Sequence, residues 1–248
     1  MGVGRGTVLV EALSAFALLC ALHVALGFGL AFAQPAGGSL IADPPAGPVA
    51  AERPHGLEVG TTELGAHFAI SIHSGGGDID QAVGSGFAMI GLRYGKVLEA
   101  SRKLALEYVV DVVPLAVVSG IPKGVDVYYD RVQDRWVIDG VEMAEWSSVY
   151  GFGASPLGLQ LYLLPSGRIR LWVGGTAGFL FFARDVPVPG GTALNFAFDF
   201  RAGLQFSGPS DLALSLGFEF HHFSNGGLAD VNPGLDTQFF YAGISRFR

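Results

Sequence analysis

The chain has 248 residues, of which 50% are hydrophobic and only 15% are charged, against about 25% charged residues in an average soluble domain. Its net charge of −7 provides no basic footprint, so no nucleic-acid partner is expected. The single cysteine, Cys20, excludes an intrachain disulfide and a cysteine-based metal site. No metal or other cofactor is predicted.

The first 33 residues are typical of a secretory signal peptide. Arg5 supplies the positive charge of the N-terminal region, and an apolar run follows from Ala12 to Phe32. An A-x-A pattern at the end of this run predicts cleavage near Ala33. The length of the apolar run leaves an uncleaved anchor helix as the alternative. Residues 34–55 are rich in proline, glycine and alanine and are predicted to form a linker.

Residues 56–248 alternate between strand-like stretches and turn signals. No run in this part approaches the roughly 18–20 apolar residues of a membrane helix. We therefore predict an all-β fold, an eight-stranded antiparallel outer-membrane β-barrel whose interior is filled by side chains. A soluble all-β protein with a large core is the alternative. The predicted strands span residues 57–71, 84–98, 103–118, 149–164, 168–184, 193–206, 212–224 and 235–247.

A charged segment, residues 121–146, interrupts the predicted barrel between its third and fourth strands. We expect it to form a hairpin of its own with a short helix, and we assign it no chemistry.

Alternation predicts which side chains face lipid. On the seventh strand the even positions are apolar, from Leu212 to Phe220, and the odd positions are small or polar. Glu219 on this strand, with Glu107 and Asp111 on the third, is predicted to face the lumen and pair with inward Lys or Arg. On the eighth strand the odd positions are predicted to face lipid, among them Leu235, Phe239, Tyr241 and Phe247. Asp236 has the opposite parity, so it is predicted to face the lumen.

His222 and Ser224 continue the lipid-facing parity of the seventh strand. The Cα atoms of residues two apart in a strand lie roughly 6.5–7 Å apart, which is close enough for an imidazole to reach a hydroxyl. A pair on the outer face can serve only a substrate beside the barrel, which favours a lipid. His221 has the opposite parity and is predicted to be structural.

The neighbouring residues complete the chemistry of ester hydrolysis. A histidine can activate the serine, and a carboxylate, Asp236 or else Asp230, can orient the imidazole. The side chain of Asn232 or Asn225 can stabilise an oxyanion. Backbone N–H groups at Gly226 and Gly227 can also approach a ligand closely. A polar strand end at the headgroup level is the alternative interpretation.

This pattern resembles the lipid A 3-O-deacylases of the PagL type, also called acyloxyacyl hydrolases. The family's H-x-S-N motif matches His222, Ser224 and Asn225, and its downstream asparagine and acid match Asn232 and Asp236, where the best-known members carry Glu. The resemblance extends roughly from Gly56 to Phe247. It implies an outer-membrane enzyme that removes an ester-linked acyl chain from lipid A.

The resemblance also implies roles for individual residues. Ser224 would be the nucleophile, His222 the base and Asp236 its orienting acid, with Asn232 and the Gly227 N–H as oxyanion donors. The expected partners are lipid A, as part of lipopolysaccharide, and membrane lipid, and a homodimer is left open. A non-catalytic structural or adhesive barrel and a phospholipase-type esterase are the alternative functions.

Overall fold

The computed structural model describes residues 56–74, 86–208 and 211–248. The predicted signal peptide and linker, residues 1–33 and 34–55, lie outside the described residues. Among the described residues, no helix is long and apolar enough to cross a membrane.

Eight antiparallel strands close into a barrel, which confirms the predicted fold. The strands of the chain are β1 Thr62–Ser74, β2 Gly86–Ala100, β3 Leu104–Lys123, β4 Asp126–Asp130, β5 Arg135–Asp139, β6 Glu145–Leu163, β7 Ile169–Val186, β8 Thr192–Ser207, β9 Leu212–Ser224 and β10 Leu235–Phe247. The barrel follows the ring order β1-β10-β9-β8-β7-β6-β3-β2, and the pairing of β1 with β10 closes it. The other ring neighbours follow one another along the chain, except that the small β4–β5 sheet separates β3 from β6.

Three strand boundaries differ clearly from the prediction. The first strand begins at Thr62, and Leu57 ahead of it is instead buried, with its N–H donating to the carbonyl of Pro165. The third and fourth barrel strands extend into the charged segment, where Lys123 pairs with Glu145. The rest of that segment forms the β4–β5 hairpin and a 3-10 turn at Val141–Met143, as predicted.

The outer surface of the barrel is apolar. Large hydrophobic side chains alternate with buried ones along the strands, so every part of the ring presents an apolar band to its surroundings. Such a surface would aggregate in water and is the surface that a membrane-spanning barrel needs. Members of this band include Phe68, Leu92, Val112, Leu159, Phe198, Phe218 and Phe240.

The middle of the lumen is polar and paired. Arg93 donates two hydrogen bonds to Asp111, of 2.8 and 2.7 Å, and Arg201 donates a third of 2.9 Å. Glu219 lies 3.8 Å from Arg201, so the prediction of inward acids beside inward arginines is confirmed for Asp111 and Glu219. Glu107 is also inward, but it accepts a hydrogen bond from the Tyr162 hydroxyl instead.

One end of the lumen is closed by an apolar plug. The rings of Phe87, Phe182, Phe223 and Phe239 are almost completely buried and pack on one another, with the Phe87 ring 5.8 Å from that of Phe223 and 5.2 Å from that of Phe239. Phe223 immediately precedes Ser224, so the plug lies at the end of the barrel that carries the candidate site.

The predicted orientation of the eighth barrel strand, β10, is wrong. Leu235, Phe239 and Tyr241 are buried inside the barrel, and Phe247 packs against the interior cluster at the other end. The prediction equated apolar with lipid-facing, whereas both ends of this lumen are apolar. Asp236 therefore faces outward.

Candidate active site

The candidate site is built where β9 ends and β10 begins. His222 and Ser224 are partly exposed on the outer face of β9, while His221 and Phe223 between and beside them are buried in the lumen. The shared outward parity of His222 and Ser224 is thus confirmed. Residues 225–234 connect the two strands and are named the site loop below.

Asp236 contacts His222 across the two strands. The two residues are direct partners in the antiparallel register, and His222 Nδ1 lies 2.6 Å from Asp236 Oδ1. Directly paired residues project to the same face of a sheet, so the alternation of β10 places the carboxylate on the side where the imidazole needs it. Asp230, the other acid considered, lies exposed on the site loop.

This pairing fixes how the imidazole can act. An ionised carboxylate can only accept hydrogen bonds, so the proton between the two groups belongs to Nδ1. Nε2 is then the unprotonated ring nitrogen that can accept a proton from a nucleophile. The imidazole side chain is 40% exposed and the Asp236 side chain 18%, which leaves the pair accessible from outside the barrel.

Ser224 stands two residues beyond His222 on the same face. Among the described residues, no hydrogen bond joins the Ser224 hydroxyl to the imidazole. Catalytic hydrogen bonds between a hydroxyl and an imidazole are often long in the absence of substrate and tighten when it binds. The structure therefore brings His222 and Asp236 into contact and places Ser224 on the same face of β9.

Asn225 organises the site loop through hydrogen bonds of its backbone N–H and its side chain, in addition to the bond that its carbonyl accepts from the Leu228 N–H. Its N–H donates to Asn232 Oδ1, its Nδ2 donates to the Val231 carbonyl, and its Oδ1 accepts from the Gly227 N–H, each at 2.9 Å. The first bond holds the Asn232 amide beside the peptide that follows Ser224. This bond uses Oδ1, the acceptor end of the Asn232 amide. The other end, Nδ2, is a donor and can donate to an oxyanion.

The two expected oxyanion donors are thus in different states. Among the described residues, the Asn232 Nδ2 group has no hydrogen-bond acceptor. The Gly227 N–H, by contrast, is already donated to Asn225 Oδ1, so it can reach an oxyanion only by sharing or releasing that bond.

Gly234 is a site residue that the sequence did not reveal. A Cβ at this position would lie 3.1 Å from His222 Cε1 and 3.6 Å from Ser224 Cβ. Its φ of +68° is also a conformation that side chains disfavour. A glycine after Asn232 and Pro233 looks like ordinary turn chemistry, so only the folded geometry shows that it leaves room for the imidazole.

Two phenylalanines border the site on β8 and were also missed. Phe196 is the register partner of Ser224 and Phe198 that of His222, and both rings are exposed on the outer face. They provide an apolar surface next to the serine hydroxyl. The alternation of residues 195–201 is a sequence signal for their outward parity, but only the strand register places them beside the site.

A second polar cluster lies on the opposite face of β9. Asp199, Glu219 and His221 bring donor atoms within 4.8 Å of one another, close enough to hold a metal ion. Asp199 is, however, hydrogen-bonded to His221 and Thr176, and Arg201 provides positive charge 3.8 Å from Glu219. The cluster belongs to the paired network of the lumen, where His221 is buried and hydrogen-bonded to Asp199.

Comparison with known families identifies the chain's relatives. The model of the family described as lipid A 3-O-deacylase (PagL) matches residues 117–245, just over half of the chain and all of the candidate site. This chain belongs to the lipid A 3-O-deacylase family. No curated protein sequence matches it.

Solved structures with a similar fold include other outer-membrane proteins. The crystal structure of the outer membrane enzyme PagL is 14% identical, covers 73% of this deacylase-family chain and 97% of its own, and has a TM-score of 0.45. The outer membrane protein OprG from Pseudomonas aeruginosa is 10% identical, with coverages of 78% and 98% and a TM-score of 0.46. Neisserial surface protein A is 9% identical, with coverages of 75% and 95% and a TM-score of 0.40.

Membership in the lipid A 3-O-deacylase family confirms the resemblance drawn from the H-x-S-N motif. The matched region begins in β3 and ends in β10, so it includes the β4–β5 hairpin, the site loop and both strands that carry the pair of His222 and Asp236.

Proposed function

We propose that this chain is an outer-membrane serine esterase that removes an ester-linked acyl chain from lipid A, by 3-O-deacylation. The proposal is carried by one observation, the 2.6 Å contact of His222 with Asp236 on the outer face, beside Ser224. Family membership supports lipid A as the substrate, and the apolar exterior supports a substrate that lies in the membrane next to the barrel.

The proposed reaction proceeds through an acyl-enzyme. Ser224 Oγ attacks the ester carbonyl carbon while His222 Nε2 takes the hydroxyl proton, and Asp236 stabilises the imidazolium. The tetrahedral intermediate then collapses, the bond to the sugar oxygen breaks, and the sugar hydroxyl leaves with the proton from His222. Water attacks the acyl-enzyme, again with His222 as base, and releases the fatty acid and free Ser224.

The oxyanion of both intermediates needs donors. Asn232 Nδ2 is proposed as the principal donor, and the Gly227 N–H joins it when its bond to Asn225 Oδ1 is shared. Phe196 and Phe198 offer an apolar surface for the alkyl chain beside the scissile ester.

The nucleophile is tested by comparing lipid A from cells that express wild type, Ser224→Ala or Ser166→Ala. Ser166 is an exposed serine in the turn between β6 and β7 and provides a matched control. Mass spectrometry should show loss of one acyl chain with wild type and Ser166→Ala only. Equal acylation of lipid A with wild type and Ser224→Ala, both folded in the membrane, would contradict the proposal.

The orienting acid is tested on purified protein with Asp236→Asn and Asp230→Asn. Removing the carboxylate from the histidine in a triad lowers kcat by about 10⁴-fold, so a loss of this order is expected for Asp236→Asn. Asp230→Asn removes an exposed acid from the adjoining site loop and should leave the rate unchanged. If the wild-type protein hydrolysed phospholipid in preference to lipid A in this assay, the chain would be a phospholipase-type esterase instead.

The proposal includes secretion, with cleavage near Ala33 and a linker ahead of the barrel. Intact-mass measurement of the protein isolated from outer membranes should give a chain that starts at or near Gln34. A mass that retains residues 1–33 would favour the uncleaved anchor. Cross-linking in the membrane would test for a homodimer.

A further inference from the structure

The β4–β5 hairpin is linked to the site loop through the connection between β7 and β8. The hairpin emerges between β3 and β6, and β7 is the ring neighbour of β6. Val127, Trp136 and Ile138 of the hairpin pack against Val188 of that connection, and Val231 of the site loop packs there too. The hairpin and the site loop therefore share one apolar contact, Val188.

Val188 is the residue where these parts meet. It is fully buried, although it lies in the connection between β7 and β8 and belongs to neither strand. Two residues later, Gly190 is so close to Val231 that a Cβ on the glycine would lie 3.2 Å from Val231 Cγ2. Val231 thus packs on the β7–β8 connection at Val188 and Gly190, and the hairpin packs on the same connection at Val188.

Val231 is tied directly to the proposed oxyanion donors. Its carbonyl accepts from Asn225 Nδ2, and the next residue, Asn232, accepts from the Asn225 N–H through its side chain. Displacement of Val231 would move both the Asn232 amide and the residue that holds the Gly227 N–H. A chain of contacts therefore runs from Trp136 through Val188 and Val231 to Asn232.

We propose that the β4–β5 hairpin is a positioning element of the active site, and that Trp136 and Val188 hold the site loop so that Asn232 faces the oxyanion. This inference rests on the proposed function for its kinetic consequence. Trp136 and Val188 touch neither substrate nor reacting atoms, so they act on the transition state only through the loop.

The kinetic test uses purified full-length chain and lipid A, with Trp136→Ala and Val188→Ala as variants. A misplacement of about 1 Å can cost up to about 100-fold, so a kcat loss of about tenfold is expected with KM within about twofold. Val132→Ala is the control, because Val132 is 94% exposed at the hairpin tip. Trp136→Phe should retain most of the activity, since a ring still packs on Val188.

A double variant separates positioning from general damage. If the hairpin acts through Asn232, then Trp136→Ala combined with Asn232→Ala should be no slower than Asn232→Ala alone. Additive losses would overturn the inference, as would a raised KM with unchanged kcat. Equal kcat for Trp136→Ala, Val188→Ala and Val132→Ala would also overturn it.

Amide hydrogen exchange makes the test independent of catalysis. The N–H groups of Asn225 and Gly227 are hydrogen-bonded within the site loop, so loosening the loop should speed their exchange in Trp136→Ala and Val188→Ala but not in Val132→Ala. Unchanged exchange in all three variants would overturn the inference. An inactive wild type with this exchange pattern would refute the proposed function and keep the positioning role.

Discussion

At the scale of single residues, the candidate site depends on how little space surrounds the imidazole. His222 is fixed on one side by the 2.6 Å contact with Asp236 and bordered on another by Gly234, where even a methyl group would press on Cε1. The carboxylate sets the protonated nitrogen, and the glycine leaves room for the ring orientation that this bond requires.

Gly234→Ala should therefore lower kcat by more than its loss of unfolding free energy can explain. The variant suffers the cost of about 1–2 kcal/mol for an L side chain in the left-handed region, plus a contact with His222. Gly60→Ala is a matched control, because Gly60 has a φ of +90° and no atom within 4 Å of its Cβ position. Gly60→Ala should lose only the unfolding free energy of the backbone conformation and keep the wild-type kcat, whereas Gly234→Ala should lose more unfolding free energy and also lose kcat. Equal kcat in the two folded variants would argue against this steric role.

At the scale of elements, the outcome for β10 shows what the sequence could and could not predict. The eight barrel strands and the outward parity of β9 follow from alternation, because β9 has small or polar residues on its lumen side. β10 places Phe239 and Tyr241 inside, so its two faces look alike in sequence and the parity was assigned wrongly. The H-x-S-N motif indicates the proposed chemistry, but the cross-strand register is needed to pair Asp236 with His222 and to find Phe196.

The orientation of β10 can be measured with single cysteines introduced in a Cys20→Ser background. A spin label on Phe240→Cys should face lipid and collide with dissolved oxygen rather than with a water-soluble nickel chelate. Phe239→Cys should resist labelling in the folded barrel, because Phe239 is fully buried in the plug. The reverse pattern would restore the orientation expected from the sequence and would turn Asp236 away from His222.

At the scale of the whole molecule, the barrel separates stability from chemistry. The lumen holds a paired network centred on Asp111, which bridges Arg93 and Arg201, while the site occupies the outer face beyond the plug. The two sets of polar residues lie on opposite faces of the barrel wall. Substitutions in the lumen should therefore change folding without changing the reaction.

Asp111→Asn tests this separation. The change leaves two buried guanidinium groups without their shared carboxylate, and breaking a buried pair of this kind costs about 3–5 kcal/mol. The denaturant midpoint of the barrel in detergent should fall accordingly, whereas Asp126→Asn, in an exposed acid of the hairpin, should leave it unchanged. The kcat of the folded fraction should match that of wild type. A loss of kcat in fully folded Asp111→Asn would show that the lumen and the site are coupled.

The outward position of Ser224 and His222 has a consequence for how the proposed enzyme meets its substrate. A site on the outside of a membrane barrel is reached by lateral diffusion within one leaflet, in two dimensions. The quantity that governs encounter is then the mole fraction of lipid A around the barrel, and its concentration per volume of solution has no direct meaning. Crowding by other lipids would slow the reaction simply by occupying the patch of membrane beside β8, β9 and β10.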